Sequence, residues 1–480
     1  MRKKKSVKIN YFYNLIYNLL TLLLPLLTTP YLSRVLGVEN IGIYGFTNSI
    51  VTYFVLFGCL GTTLYGQREI AYVQDDKEKQ SKVFYEIFFV KLISMFISIL
   101  LYGFSFCLDG TLSLYYQILL IYLVANVFDI SWYLQGIEEF DKTVIRNLIV
   151  KVLSIILIFV LVKKPDDLWI YFTIFAGSEL LGNITMWIYV PKYLNKPNFK
   201  KLNLKKHLKP ILMLFIPQIA IKVYTVLDKT MIGVISGNMN DVGFYEQGQN
   251  IVRALIVIIT AYGTVMASRI AYTYKNSDKK KTIKYLKSSF RFSWLLGIPL
   301  MLGTIAVADK LVPWFFGDGY DPVSNIIKFT SPLIIAIGLN NVLGMQYLVP
   351  IGRQKDFTTA VVIGALSNFV LNNILIRLFG TIGAVIASVL AETIILIYEL
   401  YVTRKEFNWL MIFNGIFKYL IAGIIMFIVI YNIELHLGVS LLNTFIVFII
   451  GVITYFIMLL LLRDSYILDN LNILLKKVKR

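Results

Sequence analysis

The chain has 480 residues, 57% of them hydrophobic and only 16% charged, with a mean hydropathy of +0.70. A soluble protein of this size carries about a quarter charged residues. Here the apolar residues fall in runs of about 20, the length that crosses a bilayer core, so a soluble fold is excluded and an all-α polytopic membrane protein is expected. A transmembrane barrel is excluded too, because it would show short alternating segments.

In chain order, "MRKKKSVKIN" precedes an apolar run from Tyr11 to about Leu32. That run is too long for a signal sequence and lacks a small-residue cleavage site, so it reads as a retained first helix. Candidate spans lie near 11–33, 41–64, 83–108, 112–135, 144–163, 168–190, 208–235, 248–272, 288–309, 326–350, 357–377, 381–402, 411–431 and 440–462, about 14 transmembrane helices in all. Cys59 and Cys107 both lie in apolar runs without metal spacing, so they read as packing residues. No metal or cofactor motif is found.

The formal charge is +19. With the N-terminus inside, 35 of the 47 Lys and Arg fall in cytoplasmic segments, and five (Arg34, Lys163, Lys164, Lys310, Arg377) fall in outer loops. This positive-inside asymmetry predicts both termini in the cytoplasm. The basic loops "YLNKPNFKKLNLKKHLK" and "YKNSDKKKTIKYLKSSFR" then read as topology and anionic-lipid signals, and no nucleic-acid partner is implied.

Two short segments recur. "NIGIYGFTNSIV" (Asn40–Val51) resembles "DVGFYEQGQNIV" (Asp241–Val252), and "WYLQGIEEFDK" (Trp132–Lys142) resembles "QYLVPIGRQKD" (Gln346–Asp356). Six spans separate the copies, so the repeat is parallel. Transporters built from repeats place their substrate at the repeat interface. The expected organisation is a six-helix bundle over 1–190, a basic cytoplasmic linker over 191–209, a second six-helix bundle over 210–402, and two extra helices with a basic tail over 403–480.

Span 7, "LFIPQIAIKVYTVLDKTMIG", carries Lys222 about 16 Å from its inner end, near the bilayer midplane. A charge there costs about 2.5–3.5 kcal/mol on insertion scales. Gln218, Lys222, Thr225 and Lys229 share one helix face. Span 1 has a comparable stripe through Asn14, Asn18, Thr21, Pro25 and Thr28, and the two stripes suggest a shared polar cavity. Pro25, Pro30 and Pro217 would loosen these helices.

Lys222 is either a cavity cation or the buried partner of a carboxylate. Lys229 either snorkels outward or serves as a ligand. Asp228 and Arg253 lie near the outer ends of spans 7 and 8, where an ion pair between them is the favoured reading. Lys91 and Lys151 lie about 10–12 Å from the cytoplasmic side, within snorkelling reach, and Lys91 could line the cavity floor. Glu179 in span 6 and Glu392 in span 12 are candidates for ion coupling, or else neutral or paired core groups.

The segments "PYLSRVLGVENIGIYGFTNSI", "GTTLYGQREIA", "WYLQGIEEFDK", "DKTMIGVISGNMNDVGFYEQGQNIV", "FFGDGYDP" and "FGTIGAVIASVLAE" occur in this order. Together they resemble the bacterial polysaccharide flippases of the Wzx type, within the multidrug/oligosaccharidyl-lipid/polysaccharide exporter superfamily. The resemblance covers about Asn10 to Tyr401.

It implies a plasma-membrane flippase that moves an undecaprenyl-diphosphate-linked oligosaccharide from the inner to the outer leaflet for capsule, exopolysaccharide or O-antigen. It implies alternating access around a cationic central cavity, H+ or Na+ as possible coupling ion, and a polysaccharide polymerase with chain-length machinery as partners. A diphosphate needs cations, and lysine serves as a point charge for phosphate. "LDK" (Leu227–Lys229) matches the family pattern of span 7. The rival readings are a cation-coupled multidrug exporter, which needs acids such as Glu179 and Glu392, and a membrane enzyme. The outer loops are short, His207 and His436 both lie at interfaces, and no phosphate loop or nucleophile triad is found, so an enzyme is not expected.

Overall fold

The computed structural model describes residues 7–196, 199 and 202–468, with side chains from 27 onward except 140–141, 216–218, 220–221, 223–224 and 409. The described residues form helices and no strand. The chain divides into two compact units, Met1–Thr230 and Met231–Arg480.

The first unit contains α1 (Val7–Cys59), α2 (Thr62–Tyr72), α3 (Lys77–Phe106), α4 (Ser113–Val127), α5 (Ser131–Gly136), α6 (Phe140–Leu161), α7 (Leu168–Met186), α8 (Val190–Tyr193) and most of α9 (Lys205–Ser236). The second contains α10 (Met239–Lys275), α11 (Lys279–Phe316), α12 (Asp321–Thr330), α13 (Leu333–Asn340), a π-helical segment (Asn341–Leu348), α14 (Gln354–Thr403), α15 (Ile416–His436) and α16 (Leu441–Leu461). α1 is two helices joined at Gly37, and α14 is two joined at Gly380. With α12, α13 and the π segment taken as one crossing, 14 helical crossings match the expected spans.

α3 shows why this pattern needs lipid. It buries Phe84, Ile87, Val90, Met95 and Tyr102, and exposes Ile93, Phe96, Ile97, Leu100, Leu101 and Phe104. A continuous exposed apolar face of that kind is tolerated in a bilayer and not in water. Ten described helical stretches are long and apolar enough to cross a membrane. The protein is a multi-pass membrane protein.

Inside the first unit, α4 packs on α7, α1 on α3, and α2 on α5. The α2–α5 approach is unusually close. A Cβ on Gly66 would meet the Trp132 ring at 2.4 Å, and one on Gly136 would meet the Gln67 carbonyl oxygen and Ile70 at 2.9 Å. In the second unit α11 packs on α15 and α15 on α16, around a core that includes Phe290, Trp294, Ile298 and Tyr419.

Both repeats reappear as backbone geometry. Glu138 (φ 62°) and Gly352 (φ 86°) occupy equivalent left-handed positions, two residues before α6 and α14. In the first copy Glu139 N–H donates to the Leu134 carbonyl at 2.9 Å and Ile137 N–H to Tyr133 at 3.1 Å. In the second, Arg353 N–H donates to Leu348 at 2.9 Å and Ile351 N–H to Tyr347 at 3.1 Å. At the other repeated segment Gly37 (φ 78°) marks the kink inside α1 and Gly237 (φ 65°) follows α9, one residue out of register with each other. Helix starts match as well. Asp76 caps α3 and pairs with Lys79, and Asp278 caps α11 and pairs with Lys281.

The compact division falls at Thr230, later in the chain than the basic loop over 191–209 expected as the linker. The physical reason is that α9 is bound to the first unit near both of its ends, as described next.

Candidate functional site

α9 carries Lys222, and its N-terminal end is fixed by a buried polar cluster. Glu86 of α3, fully buried, accepts from the Asn203 N–H at 2.8 Å and pairs with Lys206 Nζ at 2.7 Å and His207 Nε2 at 2.9 Å. A carboxylate only accepts, so His207 Nε2 carries the proton, and a neutral imidazole then takes the Tyr65 hydroxyl at Nδ1, 2.7 Å away. Toward the C-terminal end, the Thr230 hydroxyl meets Ser49 Oγ at 2.7 Å and the Tyr53 hydroxyl at 3.1 Å, both from α1. The two anchors are 23 residues apart, about 35 Å of helix.

Lys222 lies between these anchors and is exposed. Among the described residues no carboxylate pairs with its ammonium. Asp228 and Lys229 are both buried, about two turns beyond Lys222 and next to the Thr230 anchor. Lys229 therefore does not snorkel to the surface. Arg253, on α10 in the second unit, is exposed. The side chains of Asn14, Asn18 and Gln218 lie outside the described residues.

Lys91 has no exposure, and its Nζ donates to the Asp129 carbonyl at 2.8 Å, where α4 ends. Its charge is satisfied inside the protein, contrary to the snorkelling expectation. Glu179 is half-buried and feels the opposite charges of Arg146 and Lys151. Arg146 itself donates to Asn183 Oδ1 at 3.3 Å. Lys151 is half-buried as well.

In the second unit Glu392 is buried and accepts from Asn340 Nδ2, which also bonds the Glu392 carbonyl at 3.0 Å. Two turns further along α14, Glu399 is fully buried, and neither of its carboxyl oxygens has a hydrogen-bond partner. Sequence reasoning did not single out Glu399, nor Ser49, Tyr53, Thr230 and Glu86. Each is an ordinary residue until a distant helix supplies its surroundings. The described residues include no cluster of three or more His, Cys, Asp or Glu able to hold a metal ion.

Against known proteins, the model of a family described as "Polysaccharide biosynthesis protein" matches residues 7–271, more than half of the chain. The chain belongs to that family. A second family model, MatE, matches residues 214–374.

Among relatives, the polysaccharide biosynthesis chain is 28% identical over 408 residues to an Escherichia coli (strain K12) protein named "Putative O-antigen transporter", covering 84% of this chain and 98% of that one. It is 22% identical over 233 residues to the "Probable low-salt glycan biosynthesis flippase Agl15" of Haloferax volcanii, covering 48% and 49%. Among solved structures, the lipid II flippase MurJ in its inward closed conformation superposes with a TM-score of 0.73 at 17% identity, covering 95% of this chain and 99% of that one. An inward-facing multidrug resistance MATE family transporter superposes with a TM-score of 0.64 at 14% identity, covering 80% and 94%. At these identities the superpositions show a shared fold, the fold of transporters and flippases. These relatives and solved structures are named as transporters and flippases.

Proposed function

We propose that the protein flips an undecaprenyl-diphosphate-linked oligosaccharide from the inner to the outer leaflet of a bacterial plasma membrane, supplying capsule, exopolysaccharide or O-antigen synthesis. The observation that carries this reading is Lys222: an exposed ammonium midway along an apolar helix that is anchored near both ends. The relatives named as O-antigen transporter and glycan flippase support it.

A diphosphate crossing the hydrocarbon region needs a positive partner, because an unpaired anion there is costly. Lys222 supplies a point charge, and the buried Asp228 and Lys229 set the polarity about two turns beyond. The polyprenyl tail stays in lipid while the head group passes along this polar path by alternating access. Arg253, Gln218, Asn14 and Asn18 are proposed to widen the path. Lys91 is assigned to packing. H+ or Na+ as coupling ion, a polymerase partner and cytoplasmic termini belong to the same proposal.

The test is to deplete the protein, locate the lipid-linked sugar by leaflet, and repeat with Lys222→Ala and Lys222→Arg. Full repeat units held on the inner leaflet on depletion and in Lys222→Ala, with partial rescue by Lys222→Arg, are expected. Normal export in membrane-inserted Lys222→Ala would remove the lysine from the mechanism. The second reading, a cation-coupled multidrug exporter, draws on the buried acids Glu392 and Glu399 and the MatE match. It predicts altered drug resistance on deletion, with the lipid-linked sugar unaffected.

A further inference from the structure

Most buried charge in this protein is matched. Glu86 has Lys206, His207 and a backbone N–H, Arg291 has Asp464 at 2.9 Å, and Lys91 has a carbonyl. Glu399 stands apart. It has no exposure, and both carboxyl oxygens lack a partner. A Cβ on Gly344 would come within 2.6 Å of Glu399 Oε1 and 2.7 Å of the Phe357 ring. Gly344 thus lies against both the Glu399 carboxyl and the Phe357 ring, with no room for a side chain between them.

Gly344 belongs to the π-helical segment Asn341–Leu348, and a π-helical interruption often marks a functional position in a helix. Among the described residues the remaining neighbours give the carboxyl no hydrogen-bonded cation. α13 (LIIAIGLN) has no titratable side chain. Tyr347 of the π segment donates its hydroxyl to Glu406, and Arg353 is taken up by Asp356 and Glu406. Lys328 of α12 is held by Asp309 at 2.6 Å. α10, which packs on the π segment and on α14, carries the cations Arg253, Arg269 and Lys275, and among the described residues none of them hydrogen-bonds the Glu399 carboxyl. Glu392, two turns away on the same helix, adds a charge of the same sign.

We propose that Glu399 is an exchangeable proton site of the transporter. An ionised carboxylate cannot be left unpaired in such surroundings. A metal ion would need several oxygen ligands, and neither Gly344 nor Phe357 supplies a side-chain oxygen. A proton needs one oxygen. When water reaches the site, the O–H bond breaks, the proton passes to that water, and the electron pair stays on the carboxylate. Closure of the site requires the proton back. Glu392, already satisfied by Asn340, holds a second acid on the same face and opposes simultaneous ionisation of the pair.

The transport arm of the test rests on the flippase reading, and the spectroscopic arm does not. The full chain, purified in nanodiscs, is compared with E399Q by infrared difference spectroscopy. The expected result is a carboxylic acid C=O band at neutral pH in the wild type that is missing in E399Q and shifts in D2O after turnover conditions. In proteoliposomes with lipid-linked oligosaccharide, one proton per cycle shifts the leaflet distribution by about tenfold per unit of imposed pH difference, and E399Q is expected to lose that shift. A band identical in E399Q, an unchanged tenfold response in E399Q, or a wild type driven by a Na+ gradient and indifferent to pH would each overturn the proposal. If the wild type flips nothing, the flippase reading fails and the infrared band alone decides the proton site.

Discussion

The two halves of this protein share turns and differ in what they bury. Just before α6 and just before α14, the same backbone hydrogen bonds close around a left-handed residue, Glu138 in one and Gly352 in the other. Asp76 and Asp278 cap corresponding helices, each with a lysine three residues on. The interiors then diverge. The first unit buries Lys91 against a carbonyl and places Glu179 under the charges of Arg146 and Lys151. The second buries Glu392, Glu399 and Glu434. Asn126 and Asn340, equivalent in the repeat, show the split in one residue type. Asn126 bonds its own helix at Tyr122, whereas Asn340 reaches across to Glu392. Turn geometry is local and survives changes elsewhere, while buried charge is free to specialise.

The comparison can be broken from the first unit. Lys91→Ala leaves the Asp129 carbonyl without its donor and opens a cavity where a long side chain was fully buried. The expected loss is about 2–5 kcal/mol, read as a fall in thermal unfolding temperature of the detergent-purified protein. A loss below about 1 kcal/mol would show that the carbonyl finds another partner. In the second unit Asn340→Ala removes the donor to Glu392, for about 1–3 kcal/mol by the same assay. Pairing it with Glu392→Gln should recover part of that loss, because a neutral amide needs its partner less than a carboxylate does.

The shared turn can be sharpened by exchange. Gly352→Ala places a Cβ in a left-handed backbone and should cost about 1–2 kcal/mol. Glu138→Gly should instead gain up to about 1 kcal/mol. Shifts of opposite sign would confirm that one geometry governs both turns.

The smallest effect concerns the caps. Backbone hydrogen bonds from Lys79 and Lys281 hold the Asp76 and Asp278 carboxyls below the usual carboxylate range. A folded value below the unfolded one gives stabilisation that is present above the unfolded value, about 3.9, and is lost as pH falls through the folded value. Asp76→Asn with Asp278→Asn should flatten the acid limb of stability against pH below about pH 4, with little change at neutrality. An acid limb as steep as the wild type's would assign it to other carboxylates.

Much of this plan was legible in the sequence. Span positions follow from run length against bilayer thickness, and the repeat announces itself where glycine and cap chemistry are local. The role of Lys91 was not legible, because its partner is a main-chain carbonyl 38 residues away. Glu399 lies in "IYELYVTRK", near a basic stretch that suggests an interfacial residue. Only the packing of the π segment and Phe357 closes it off. Lys222 was legible as an anomaly, a charge in an apolar run, but the anchors through Glu86 and Ser49 required the folded chain.

The meeting of α2 and α5 has a mechanical consequence. Gly66 lies under the Trp132 ring and Gly136 against the Gln67 carbonyl and Ile70, so the two helices are welded as an elbow with no room to slide. An elbow transmits torque without bending. Any movement of this end of the first unit must then flex at the joints beside it, where Leu60 and Gly61 already stand in left-handed backbone and residues 73–76 form a turn. A disulfide or proline that stiffened those joints would turn the whole of that end into a single strut.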